Sequence, residues 1–191
     1  MFSGLYSALM LILFALILRG VSMVFRAEVD DPRWRRLWDM GLFLGSFLPA
    51  LLFGVAFANL FKGIPIDAEG IFQGNLLTLL NPYGLAGGIL FVLLFLVHGS
   101  LWLAVKTHGD LHHRAARLAA TTWPVLLGMA VLFLAATRHW TTLFDNYAAQ
   151  PLLLVSPVVA GAALVAMRAF IKRAQWWKAW FASCLTIVGI T

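Results

Sequence analysis

The chain has 191 residues, of which 62% are hydrophobic and only 12% charged, with a formal net charge of +6. A soluble domain is about 45–50% apolar, so there is too little polar side chain here to cover a water-soluble body. A single cysteine, Cys184, excludes an internal disulfide and any cysteine-held metal or iron–sulfur centre. The basic residues cluster at alternate span connections instead of forming one patch, which excludes nucleic acid as the partner.

Hydropathy marks five full apolar spans and one partial span, roughly 2–18, 40–61, 85–105, 118–137, 152–171 and 178–191. Stretches 40–61, 85–105 and 118–137 contain no Asp, Glu, Lys or Arg. At about 1.5 Å per residue each crosses a hydrocarbon core of about 30 Å. Period-two alternation is absent, and in lipid only helices or closed barrels satisfy every backbone amide internally. The expected fold is therefore all-α, a polytopic transmembrane bundle of about six spans. Residues 1–191 read as one transmembrane domain. The short last span and the apolar opening suggest that this domain belongs to a longer chain.

The first span runs up to Arg19 and is followed by the charged stretch DDPRWRRLWD, residues 30–39. Asp31-Pro32 is a helix-start signal, because aspartate caps free amides and proline has no amide to leave unpaired in the first turn. Trp34 and Trp38 lie one turn apart and suit the headgroup level. Asp39 follows within one turn of Arg35 and Arg36, so Trp38 and Asp39 read as a self-paired polar anchor. The sharper alternative is a polar contact to a partner subunit, or a proton route. Further along, Ser46, Ala50, Gly54 and Ala58 recur every fourth residue, with Gly41 and Gly45 before them. Such a small-residue strip lets another backbone approach, within this chain or in a second subunit. Pro49 predicts a kink.

Asp67 and Glu69 in the second connection and Asp145 in the fourth read as solvent-facing. Asn81-Pro82 repeats the helix-start device before the third span. Within that span His98 is the one ionisable residue deep in an apolar stretch, next to Ser100. It could ligate a haem, but a hydrogen bond across a helix pair or a proton path is the expected role. His108, His112 and His113 fall in the third connection. Their spacing admits a metal, but no acidic or cysteine partner is convincingly placed, and a basic loop meeting anionic lipid heads is expected instead. No catalytic residue and no metal site is expected.

Counted connection by connection, Lys and Arg number 5, 1, 3, 1 and 4, which accounts for all 14. Cytoplasmic loops accumulate these residues, so the first, third and fifth connections are placed in the cytoplasm and the N-terminus outside.

The stretches LILRGVSMVFR, RWRRLWDMGLFLGSFLPALLFGVAFANLFKGIPI, LNPYGLAGG and HGSLWLAVKTHGDLHHRA together resemble subunit II of the cytochrome bd quinol oxidases, over about residues 2 to 120. Beyond Leu118 the resemblance is mainly hydropathy and spacing. Family members are nearly twice as long, and their Trp-Asp-Gly-Asn element in a preceding span has no counterpart here. The resemblance implies a non-haem-bearing subunit of a bacterial terminal oxidase, in the inner membrane, that supports quinol oxidation and O2 reduction to water. This chain alone is not expected to be catalytic. The haems and the quinol site would belong to a larger subunit I in a heterodimer, leaving at most a structural quinone or lipid here. Arg19 matches a family arginine important for assembly around the haems, so Arg19 and His98 are the only candidates for cofactor contact. The runner-up is a small polytopic transporter or channel, which predicts broken helices and mid-membrane ionisable groups; only His98 qualifies.

Overall fold

The computed structural model describes residues 2–63, 76–141, 143 and 151–190, and every regular element among them is helical. In chain order these are α1 (Phe2–Phe25), α2 (Pro32–Lys62), the one-turn α3 (Leu76–Leu79), α4 (Pro82–Lys106), α5 (Gly109–Trp140), a 3-10 turn (Pro151–Leu154), α6 (Val155–Lys172) and α7 (Trp176–Ile190). Five helical stretches are long and apolar enough to cross a membrane: Leu5–Phe25, Pro32–Lys62, Pro82–Lys106, Gly109–Trp140 and Leu152–Lys172. At 15 residues, α7 is the partial span. The chain is an all-α, multi-pass membrane protein. Asp67, Glu69 and Asp145 lie outside the described residues.

The helices overrun the charge-free stretches because backbone pairing does not stop where lipid does. α1 continues past Arg19 to Phe25, and α2 begins before its arginines, at Pro32. Asp31 caps α2 as its pattern requires: its backbone is extended and its Oδ1 accepts from Arg33 N at 2.8 Å. Asn81 caps α4 in the same way, accepting from Gly84 N at 3.0 Å. α2 runs on as helix through Pro49.

Contacts divide the chain into two compact units, Met1–Phe91 and Val92–Thr191, and α4 contributes to both. In the first unit, the described side chains that α1 buries form a narrow line, Ala8, Ile12, Ala15 and Ser22. α2 buries Gly41, Gly45, Pro49, Leu52, Val55 and Asn59, a stripe with a mean spacing of about 3.6 residues, flanked by Gly54 and Ala58. The first half of this stripe meets α1 backbone to backbone. A Cβ on Gly45 would lie 2.7 Å from the Ala15 carbonyl oxygen and 2.8 Å from Arg19 N. The second half meets α4, where a Cβ on Gly54 would lie 2.7 Å from Gly88 Cα. Lipid gives helices no hydrophobic reason to associate, so close backbone approach of this kind supplies the attraction.

In the second unit, α6 buries Ala160, Ala163, Leu164, Met167 and Ile171, and α7 buries the small residues Ala179, Ala182, Ser183 and Thr186. The Ser156 hydroxyl donates to Gly189 O at 2.8 Å across this pair. α5 is joined to α6 by polar contacts with a specific cause. Pro124 lies inside α5 and has no N–H, so the carbonyl of Ala120 loses its helical donor. Arg168 Nη1 donates to that carbonyl at 3.1 Å. The Arg168 guanidinium lies 5.4 Å from the Trp123 ring centroid, and Trp123 Nε1 donates back to Leu164 O at 2.9 Å. α6 ends with Ala174 N bonded to Ile171 O and Gln175 N to Phe170 O, which puts Ala174 in the left-handed region at φ 53°.

Candidate functional site

The charged stretch after α1 becomes an exposed clasp between two antiparallel helices. Arg26 Nε donates to Asp39 Oδ1 at 2.5 Å, and Arg35 Nη2 donates to Asp30 Oδ1 at 2.6 Å. The hydrogen bond to Asp39, helped by its charge, raises the Arg26 guanidinium above its ordinary value. The expected pairing of Asp39 with Arg35 or Arg36 is therefore corrected. An arginine four residues before an acid is the weaker order on a helix. The hairpin brings Arg26 to Asp39 and leaves Arg35 to reach back past the cap. Trp34 Nε1 donates to Phe25 O at 2.6 Å. Trp38 stacks on Phe25 with ring centroids 5.2 Å apart, and its buried indole N–H has no partner among the described residues.

Arg19 is not at the end of its helix, which continues to Phe25. Its backbone lies against Gly45, its side chain is exposed, and it forms no ion pair among the described residues. The strip Ser46, Ala50, Gly54 and Ala58 does not form one face. Each four-residue step turns about 40° past a full turn, so three steps diverge by about 120°. Gly54 and Ala58 are buried, Ala50 is half-buried, and Ser46 is exposed with its hydroxyl on Leu42 O at 2.7 Å.

His98 Nδ1 lies 2.8 Å from Ser183 Oγ on α7. The Ser183 hydroxyl spends its one proton on Trp180 O at 2.6 Å, so Nδ1 of His98 carries the hydrogen and donates. The ring also lies 5.5 Å from that of Trp180. Ser100, expected to assist, instead turns its hydroxyl onto Leu96 O and Val97 O of its own helix. The reason is rotational: a residue two positions along a helix faces away.

His108 Nδ1 lies 2.8 Å from Thr107 O, and His112 Nδ1 lies 2.8 Å from Ala104 O. Carbonyls only accept, so both rings are tied to backbone through Nδ1–H. Among the described residues, no three His, Cys, Asp or Glu side chains group as a metal site. A recess of about 390 Å³ opens beside these histidines, closed on its other side by the α6–α7 turn. It was not foreseen, because it joins two connections far apart in sequence.

A second unforeseen element is the buried Asn59. Its Nδ2 donates to Val55 O at 2.8 Å and Leu79 O at 2.7 Å, and its Oδ1 accepts from Asn81 Nδ2 at 2.8 Å. This network fixes the entry to α4 against α2. An asparagine inside an apolar span was the available signal.

These features — a glycine-packed hairpin, an exposed arginine without an ion pair among the described residues and an asparagine-clamped α4 entry — can be set beside known proteins. The sequence profile of the family described as "Cytochrome bd terminal oxidase subunit II" matches residues 1–191. The chain belongs to this family. It is 33% identical over 222 residues to the "Probable cytochrome oxidase subunit 2" of Haemophilus influenzae, covering 99% of this chain and 58% of that protein. It is 38% identical over 159 residues to the "Cytochrome bd-I ubiquinol oxidase subunit 2" of Escherichia coli K12, covering 78% and 42% respectively. With the "Cytochrome bd ubiquinol oxidase subunit 2" of Bacillus subtilis it shares 35% identity over 146 residues, 76% of this chain and 43% of that protein. The chain thus spans about half the length of the curated relatives it matches. Membership of a bd subunit II family sets the transporter reading aside.

Proposed function

We propose that this chain is a non-haem-bearing subunit of a bacterial quinol oxidase of cytochrome bd type, in the inner membrane. It would brace a haem-bearing subunit I that carries out quinol oxidation and O2 reduction to water. Within that complex the arginine-dense connections face the cytoplasm and the N-terminus of this chain faces outside. The family match supports this reading, and one observation in the chain carries it. Among the described residues, α1 buries a single narrow line while Phe14, Ile17, Met23 and Val24 on its other faces stay exposed, and Arg19 stands among them without an ion-pair partner. A cation inside a membrane span is expensive unless it snorkels or finds a partner, and a second subunit seated on α1 supplies one. His98, donating to Ser183 and lying against Trp180, has a packing role on this reading, and the haems sit in the partner.

The test is purification in mild detergent from cells expressing the whole complex. A haem-bearing partner should co-purify, with quinol-dependent O2 uptake by the pair and none by this chain alone. His98→Ala should leave the haem absorption unchanged, and Arg19→Ala should reduce the yield of partner. A haem-free homo-oligomer that moves solute would end the proposal.

A further inference from the structure

The recess between the α4–α5 and α6–α7 turns lies wholly within the second unit and needs no haem-bearing partner. Its lining includes His108, His112, Gln175, Trp176, Trp177 and Lys178, and no acidic residue. The walls are fixed. His112 donates to Ala104 O and meets Trp176 edge to face, with centroids 5.4 Å apart. Lys106 Nζ lies 4.9 Å from the Trp102 centroid and 5.5 Å from that of Trp177. Lys178 is exposed like Lys106 but, among the described residues, it forms no ion pair and takes no part in the ring contacts that hold Lys106. It is also the third residue of α7, in a first turn where the helix dipole favours an anion and disfavours a cation. The surrounding turns and helix ends add Arg114, Arg117, Lys172 and Arg173 against Asp110 alone.

Tryptophans gather at the boundary between lipid and water. Basic pockets between spans at that level recognise anionic lipid heads. The volume, about 390 Å³, is at the small end of ligand pockets, which run to about 300–1,000 Å³. It suits a headgroup, with acyl chains left in the bilayer. We propose that this recess binds the phosphate headgroup of an anionic phospholipid. Lys178 provides the unspent charge, Gln175 an amide donor, and Trp176 and Trp177 the interfacial walls. A lipid is favoured over free phosphate because the site is walled by indoles at the end of two membrane-spanning helices.

The test uses the full chain with its accompanying subunits, delipidated in detergent and titrated in native mass spectrometry. The probes are dioleoyl phosphatidylglycerol, dioleoyl phosphatidylcholine and inorganic phosphate. Phosphatidylglycerol should fill one saturable site ahead of the other two. Lys178→Gln should weaken it about fivefold and Lys178→Glu about thirtyfold, while Lys178→Arg stays within about twofold. Glutamate suits the first turn of α7, so the lipid-free melting temperature of K178E should not fall, which separates loss of the site from loss of the fold. Equal phosphatidylglycerol binding by the wild type and K178E overturns the proposal. So does phosphatidylcholine or inorganic phosphate binding as tightly as phosphatidylglycerol.

Discussion

The two units handle the same problem, arginine and lysine at the edge of lipid, in opposite ways. The α1–α2 turn and the helix ends beside it hold Arg26, Arg33, Arg35 and Arg36 with Glu28, Asp30, Asp31 and Asp39, half of the eight acids in the chain. Two of those acids form ion pairs and a third caps α2. In the second unit the basic residues have Asp110 as their one acidic neighbour in the described turns. Two of their cations are spent on other groups: Arg168 on an orphaned carbonyl and an indole face, Lys106 on two indole rings. Lys178, like Arg114, Arg117, Lys172 and Arg173, forms no ion pair among the described residues, and it is the one of these that lines the recess. Two clusters rich in basic residues therefore have different functional meaning, since one is balanced by acids of its own turn and the other keeps charge available for a ligand.

The packing differs in degree: among the described residues a Cβ would meet a neighbour within 3 Å at Gly41, Gly45, Gly54, Gly84 and Gly88 of the first unit but only at Gly189 of the second, and the largest expected effect tests this. Gly45→Val should cost about 3 kcal/mol or prevent the hairpin from forming, because the new side chain meets backbone atoms that cannot rotate aside. Gly161→Val on α6, where nothing lies within 4 Å, should leave denaturant titrations in detergent nearly unchanged. If the two variants behaved alike, the difference between the units would be lost.

Arg168→Met should cost about 1–3 kcal/mol, since it strips a side-chain donor from a half-buried carbonyl that Pro124 leaves without its helical one. The decisive comparison is in the Pro124→Ala background, where the restored backbone N–H should make Arg168→Met far milder. Equal costs in both backgrounds would show that Arg168 acts through its charge and not through that carbonyl. Ala174→Gly should stabilise the protein slightly, by under about 1 kcal/mol, by relieving the left-handed backbone, and the melting temperature should rise with it. Smallest is Asp39→Asn. Its exposed pair with Arg26 should give a minor loss of thermal stability that disappears in high salt, whereas a salt-resistant loss would mean that the clasp is covered in the assembled protein.

Much of this was readable from residue order alone. Five full spans and a partial one follow from runs of apolar residues, because crossing lipid requires length and hydrophobicity and both are local properties. Asp31 and Asn81 were readable as caps for the same reason: a side chain two or three residues from a free amide needs no distant partner. Sequence order also determined the alternating charge of the connections and, through motifs in the first 120 residues, the family.

The pairings were not readable, because they depend on which helix comes to lie beside which. Asp39 had nearby arginines in sequence and took Arg26 across the hairpin. His98 had Ser100 two residues away and found Ser183 on α7. The four-residue strip looked continuous on paper, but a helix of about 3.6 residues per turn rotates Ser46 away from Ala58. Asn59, Arg168 and the recess beside Lys178 each draw on segments 20 or more residues apart in sequence. Sequence set which segments lie in the membrane and how their ends are charged. Only the tertiary structure decided which polar groups are spent on one another and which remain free to bind, because hydrogen bonds and ion pairs act over a few ångströms and depend on distance in space.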